Sequence, residues 1–228
     1  MNRYKLFLCV VFALVWIWAA VAPLYRDGWL LENILVFIFV PLIFVAGRYF
    51  KLSNVSYTLI TIFMVLHVIG SHYTYAEVPF GYMLQDWFDA SRNMYDRLVH
   101  FGFGFLLAYP MRELLIRLSK VRGIWSYYFP IDLVAAGSAL YEIIEWLTAL
   151  KVDPVAGLAF LGVQGDIWDA QKDMLMAIVG AAIAMLVVFI INWILDKDHW
   201  KEICESFRIS KGDAPLGEER LRELMMEK

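Results

Sequence analysis

The chain has 228 residues, a net charge of -3 and 61% apolar residues, with a mean hydropathy of +0.60. A composition this apolar excludes an ordinary soluble globular domain, and the absence of any basic stripe excludes a nucleic-acid binder. Cys9 lies in an apolar run and Cys204 in a polar tail, so there is neither a disulfide framework nor a metal-spaced cysteine pair.

Six hydrophobic stretches follow in chain order, 6–25, 30–47, 53–74, 95–117, 127–149 and 173–195. Each is long enough to cross a hydrocarbon core of about 30 Å as a helix. This predicts an all-α membrane protein, with a six-span bundle in 1–196 and a charged tail in 197–228. The first stretch follows Arg3 and Lys5 in the manner of a signal peptide, but its length and Pro23 at the would-be junction predict an uncleaved anchor. Pro110 in the fourth predicts a kink rather than an end, and Pro130 fits the first turn of the fifth. Gly102, Gly104 and Ala108 in the fourth, and Gly180 and Ala184 in the sixth, offer small-residue faces for close packing. The long connections 75–94 and 150–172 are rich in Trp, Tyr, Asp and Gly and read as turn-rich loops. In the tail, 216–228 reads as a short charged amphipathic helix and His199 as a surface residue. Arg3, Lys5, Arg48, Lys51, Arg112, Arg117, Lys120 and Arg122 fall on one side of such a bundle. The positive-inside rule then predicts that both termini are cytoplasmic.

Ionisable residues are costly beside hydrocarbon and mark sites when they cluster. Asp96 and His100, and Asp169 and Asp173, are i,i+4 pairs, while Glu142 and Glu145 are an i,i+3 pair, so each pair shares a helix face. With alternating span direction all six lie at one depth beneath the outer surface, together with His67 and His72 at the outer end of the third stretch. Three chemistries fit. Asp96, His100, Glu142, Asp169 and Asp173 are the donors expected around a divalent metal. Glu142, Glu145 and His100 are the candidate catalytic groups, one glutamate holding a proton as a general acid. Alternatively the cluster is a structural network in which Arg97 pairs with Glu142 or Glu145. Arg97 and Lys172, with Gln171 and Trp168 beside them, are the residues expected to hold an anionic headgroup. Glu32 reads as interfacial or paired across helices, and Asp132 as an anion at a helix N-terminus.

The segments 93–101, carrying Asp96 and His100, 141–146, carrying Glu142 and Glu145, and 165–174, carrying Asp166, Asp169 and Asp173, resemble three signatures of YjdF-like bacterial inner-membrane proteins. The resemblance spans nearly all six stretches and implies a multi-pass protein of the bacterial cytoplasmic membrane, with no particular activity. More loosely, the order of Asp-x3-His, a glutamate-bearing helix and acids heading the final helix is similar to VanZ-like membrane proteins, which are associated with glycopeptide resistance. The chain departs from that pattern at Glu145, Asp173 and Met176, where Gln, Asn and Gly are usual.

The expectation is therefore an inner-membrane protein with an outward-facing acidic and histidine pocket that binds or processes a lipid-linked or envelope substrate. Any reaction there would use a metal-bound or glutamate-activated water. The alternatives are a proton-coupled transporter and a structural or partner-binding membrane protein. A transporter fits less well, because the ionisable groups of the inner half reduce to Asp132 and Glu113.

Overall fold

The computed structural model describes residues 3–152, 157, 161–196, 199–208 and 218–226. Among these the chain is helical and contains no strand. Its helices are α1 (Arg3–Ala20), α2 (Arg26–Tyr49), α3 (Asn54–Tyr73), α4 (Pro79–Trp87), α5 (Tyr95–Leu118), α6 (Trp125–Ala149), α7 (Asp169–Leu195), α8 (His199–Glu205) and α9 (Glu218–Met226), with a 3-10 turn at Tyr75–Glu77. Four of them, α1, α2, α3 and α7, are long and apolar enough to cross a membrane. α5 and α6 are comparably long, 24 and 25 residues, but carry the charged residues discussed above.

Helix ends differ from expectation for local reasons. α1 stops at Ala20 rather than residue 25, because Ala22 takes a left-handed φ of 47° and Pro23 cannot donate to the preceding turn. α6 starts at Trp125 rather than residue 127, so Pro130 lies inside the helix rather than in its first turn, and Asp132 is an exposed residue beyond the first turn. α7 begins a full turn earlier than residue 173, bringing Asp169 onto the helix. α5 runs through Pro110 without ending. The connection 75–94 contains α4, with Pro79 in the first turn. Part of 150–172 lies outside the described residues, as does part of 216–228, although α9 falls where the tail helix was expected.

α5 is the central element, packed against α3, α6 and α7. Its contact with α7 is made backbone to backbone. A Cβ on Gly104 would collide with the Ala177 carbonyl, and one on Gly180 would collide with the Phe101 carbonyl. Ala177 and Ala181 are fully buried in this seam. Small residues thus set the helix spacing, as is general where lipid supplies no hydrophobic drive to association. On the other side of α5, Phe63, Met64 and Val68 of α3 meet Val99 and Leu107 in an apolar core. The outward faces of α1, α2 and α7 leave Leu14, Ile38 and Leu186 exposed, as a hydrocarbon-facing surface requires.

Polar clasps hold the ends. Ser53 caps α3 by accepting from the Ser56 N–H at 3.2 Å. Glu113 of α5 accepts from the Ser53 hydroxyl at 2.8 Å and the Ser56 hydroxyl at 2.5 Å, and pairs with Arg117 at 2.5 Å. The α2–α3 turn is thereby fixed to α5. His199 is buried rather than on the surface: α8 folds back on α6, and the His199 ring packs edge-on against Tyr127 and Phe189. Apolar ring area outweighs the cost of covering a single imidazole that keeps the Tyr127 hydroxyl 3.4 Å from Nε2.

Candidate acid and histidine site

The first turn of α5 and the first turn of α7 lie side by side, because the Gly104–Ala177 seam fixes their register. The loop before α7 is tied down by Gln164, whose side chain accepts from the Asn93 N–H at 3.0 Å and donates to the Asn93 carbonyl at 3.3 Å. Asn93 in turn accepts from the Tyr95 N–H at 3.0 Å and donates to the Val78 carbonyl at 2.9 Å. Gly81 permits this, since a Cβ there would strike Asn93 and Tyr95. The entry to α5 is therefore rigid before any charged group is placed.

Arg97 is buried and projects into the acids of α7. It pairs with Asp169 at 2.7 Å and Asp166 at 3.3 Å, forms a short pair with Asp173, and donates to the Asp169 carbonyl at 3.1 Å. The expectation that it pairs with Glu142 or Glu145 is corrected: its partners are on α7 and the loop just before it. Arg92 forms a second short pair with Asp169, donates to the Gly162 carbonyl at 3.0 Å and lies 3.6 Å from Asp96. Lys172 pairs with Asp166 at 2.7 Å. Hydrogen bonding to that ammonium holds the Asp166 carboxyl below the ordinary carboxylate range.

Past this ion-pair layer the balance changes. Asp96, His100 and Asp173 place one ligand atom each within 4.8 Å of one another. His100 Nε2 is 3.6 Å from both Asp96 and Glu142. The buried atoms Asp173 Oδ1 and Glu142 Oε1 have no hydrogen-bond partner among the described residues. A buried carboxylate oxygen left unpaired is costly, and burying a charge is more so unless it is neutralised by a proton or cation. Three cations, Arg92, Arg97 and Lys172, face the carboxylates of Asp96, Glu142, Asp166, Asp169 and Asp173, with Glu145 and Glu32 close by. The surplus is negative.

Adjoining this cluster is a cavity of about 250 Å³. Its lining is mixed: Asp96, His100, Tyr141, Glu145, His67 and Tyr75 contribute polar groups, and Leu35, Phe39, Phe63, Phe103 and Leu107 contribute apolar surface. Its polar lining groups are braced by hydrogen bonds. Tyr141 donates to Glu32 at 3.2 Å, a cross-helix pair. His67 Nε2 lies 3.1 Å from the Glu32 carbonyl, which can only accept, so Nδ1 accepts from the Tyr75 hydroxyl at 2.5 Å.

The structure brings Asp96, His100, Glu142 and Asp173 together and sets Glu145 on the cavity wall. Asp169 is taken up by two arginines. Arg97 is fully engaged, Lys172 stands at the rim, and Trp168 and Gln171 are exposed and line no described cavity. His72 is held by the end of α1 through the Ala19 carbonyl at 3.0 Å. Arg92, Tyr75 and Tyr141 were missed as site residues. Arg92 stands four residues before Asp96 but in the bend that precedes α5, so helical periodicity gave no signal for it; for Tyr75 there was none either.

No solved structure matches the chain. The inner membrane protein YjdF of Escherichia coli (strain K12) is 41% identical over 169 residues, covering 74% of this chain and 80% of that protein. Residues 4–193 match the family described as predicted membrane protein (DUF2238), a span that contains every site residue named above. The chain belongs to this DUF2238 family of multi-pass membrane proteins, and its place is the inner membrane.

Proposed function

We propose that α1, α2, α3, α5, α6 and α7 cross the inner membrane, that both termini are cytoplasmic with 197–228 as a cytoplasmic tail, and that the acid and histidine cavity opens toward the outer face. The cavity binds the polar end of a lipid-linked or envelope amphiphile, with a divalent cation held by Asp96, His100, Asp173 and Glu142. The observation that carries this is the mixed lining of the cavity, which combines Phe39, Phe63 and Phe103 with Asp96, His100, Tyr141 and Glu145. Such a lining suits a ligand with a polar head and an apolar body. The cation is supported by the unpaired oxygens of Asp173 and Glu142 and by the negative surplus. Oxygen donors with one imidazole suit Mn, Fe or Zn. The carrier alternative has no comparable support, because Glu113 toward the other end of α5 is consumed by Ser53, Ser56 and Arg117.

Elemental analysis of detergent-purified protein tests the cation. The expected result is one transition-metal ion per chain in wild type, lost in His100→Ala and in Asp173→Asn while both variants stay monodisperse. Metal-free wild-type protein would remove the cation from the proposal. Metal retained by both variants would place it elsewhere.

A further inference from the structure

A second cavity, of about 580 Å³, lies at the opposite end of the bundle between α1 and α2, with α3 as its floor. It arises from the way the helices meet. Near the acid end, α1 and α2 touch: Trp16 donates to Asn33 at 2.7 Å, and its ring centroid lies 6.0 Å from that of Trp29. Toward the first turn of α1 they enclose a groove floored by Tyr57, Ile60 and Met64. Gly47 lets the Tyr57 hydroxyl close against α2, since a Cβ there would stand 3.3 Å from its oxygen. The walls are apolar, with Phe12, Ile43 and Phe44, and Phe44 is 54% exposed on the lipid-facing side.

The mouth of this groove carries Lys5, Arg48 and Lys51. Lys5 Nζ sits 3.9 Å from the Tyr57 ring centroid, a cation–π contact that holds the ammonium at the groove. Among the described residues no carboxylate lines the groove, and none forms a salt bridge with these three cations. Three bases without a counter-charge at the rim of an apolar slot are complementary to one chemistry, an anionic head on a hydrocarbon chain.

We propose that this groove binds an anionic glycerophospholipid of the leaflet on that side, with its phosphate against Lys5, Arg48 and Lys51 and an acyl chain along Phe12, Ile43 and Phe44. Basic pockets between membrane helices select headgroups in this way. The site is separate from the acid and histidine cavity and stands whether or not that cavity binds an amphiphile.

Native mass spectrometry of the full chain in mild detergent tests it, with phosphatidylglycerol and phosphatidylcholine of matched acyl chains added in turn. One phosphatidylglycerol per chain is expected, with phosphatidylcholine at least about tenfold weaker. Combined Lys5→Gln, Arg48→Gln and Lys51→Gln should weaken phosphatidylglycerol by a similar factor. Gly47→Leu, which keeps every charge but fills the groove, should do the same. Arg3→Gln with Arg122→Gln removes bases from outside the groove and should leave binding unchanged. Equal retention of the two lipids, equal loss in the control variant, unchanged binding in a monodisperse Gly47→Leu protein, or displacement by millimolar inorganic phosphate would each overturn the proposal.

Discussion

Arg97 carries more of this structure than any other single side chain. It is buried and serves Asp166, just before α7, and Asp169 and Asp173 on α7, so its removal strips the buried Asp173 of its cation and leaves Asp169 to Arg92 alone. Breaking a buried ion pair from one side costs on the order of 3–5 kcal/mol, whereas removing both partners costs far less. Arg97→Met is therefore expected to lower the unfolding temperature in detergent sharply, and adding Asp169→Asn and Asp173→Asn to recover part of the loss. If the triple variant were less stable than the single one, the α7 acids would not be the groups Arg97 neutralises. Glu142 stands differently: its Oε1 is unpaired, and the same oxygen lies 3.6 Å from His100, so it reads as a ligand-facing rather than a fold-holding group.

At the scale of elements, the α5–α7 seam positions the site. Asp96, Arg97 and His100 meet Asp169 and Asp173 only because Gly104 and Gly180 let the two backbones touch. Overpacking a close interface costs about 1–3 kcal/mol and occasionally more, and here the obstacle is backbone rather than a yielding side chain. Gly104→Val should destabilise the protein by at least that amount in thermal unfolding. Gly102→Ala should be near neutral, since its Cβ would meet only side chains at ordinary contact distance, Leu66 at 3.5 Å and Leu106 at 3.8 Å. Equal tolerance of both changes would mean the helices are further apart than this seam.

For the whole molecule, the charge distribution predicts how it sits. The bases of the α1 start, the α2–α3 turn and the α5–α6 loop share one end, and the acid and histidine site occupies the other. Cys204 should react with a membrane-impermeant maleimide only after the inner membrane is opened, whereas Ser91→Cys in a Cys9→Ala background should react in spheroplasts. Ser91 is exposed beside α5, so failure to label it in that background would reverse the orientation.

Membrane character, the position of the long helices and the pairing of Asp96 with His100 were legible in the residues, because hydropathy and a 3.6-residue period are local properties of the chain. The family signatures in 93–101, 141–146 and 165–174 were legible for the same reason. What Arg97 pairs with, that Arg92 joins Asp169, that Tyr141 reaches Glu32 and that His199 is covered by Tyr127 and Phe189 were decided only by tertiary structure. Each depends on the register and rotation of one helix against another, and for the arginine pairs of α7 that is set by where glycine and alanine let α5 and α7 approach.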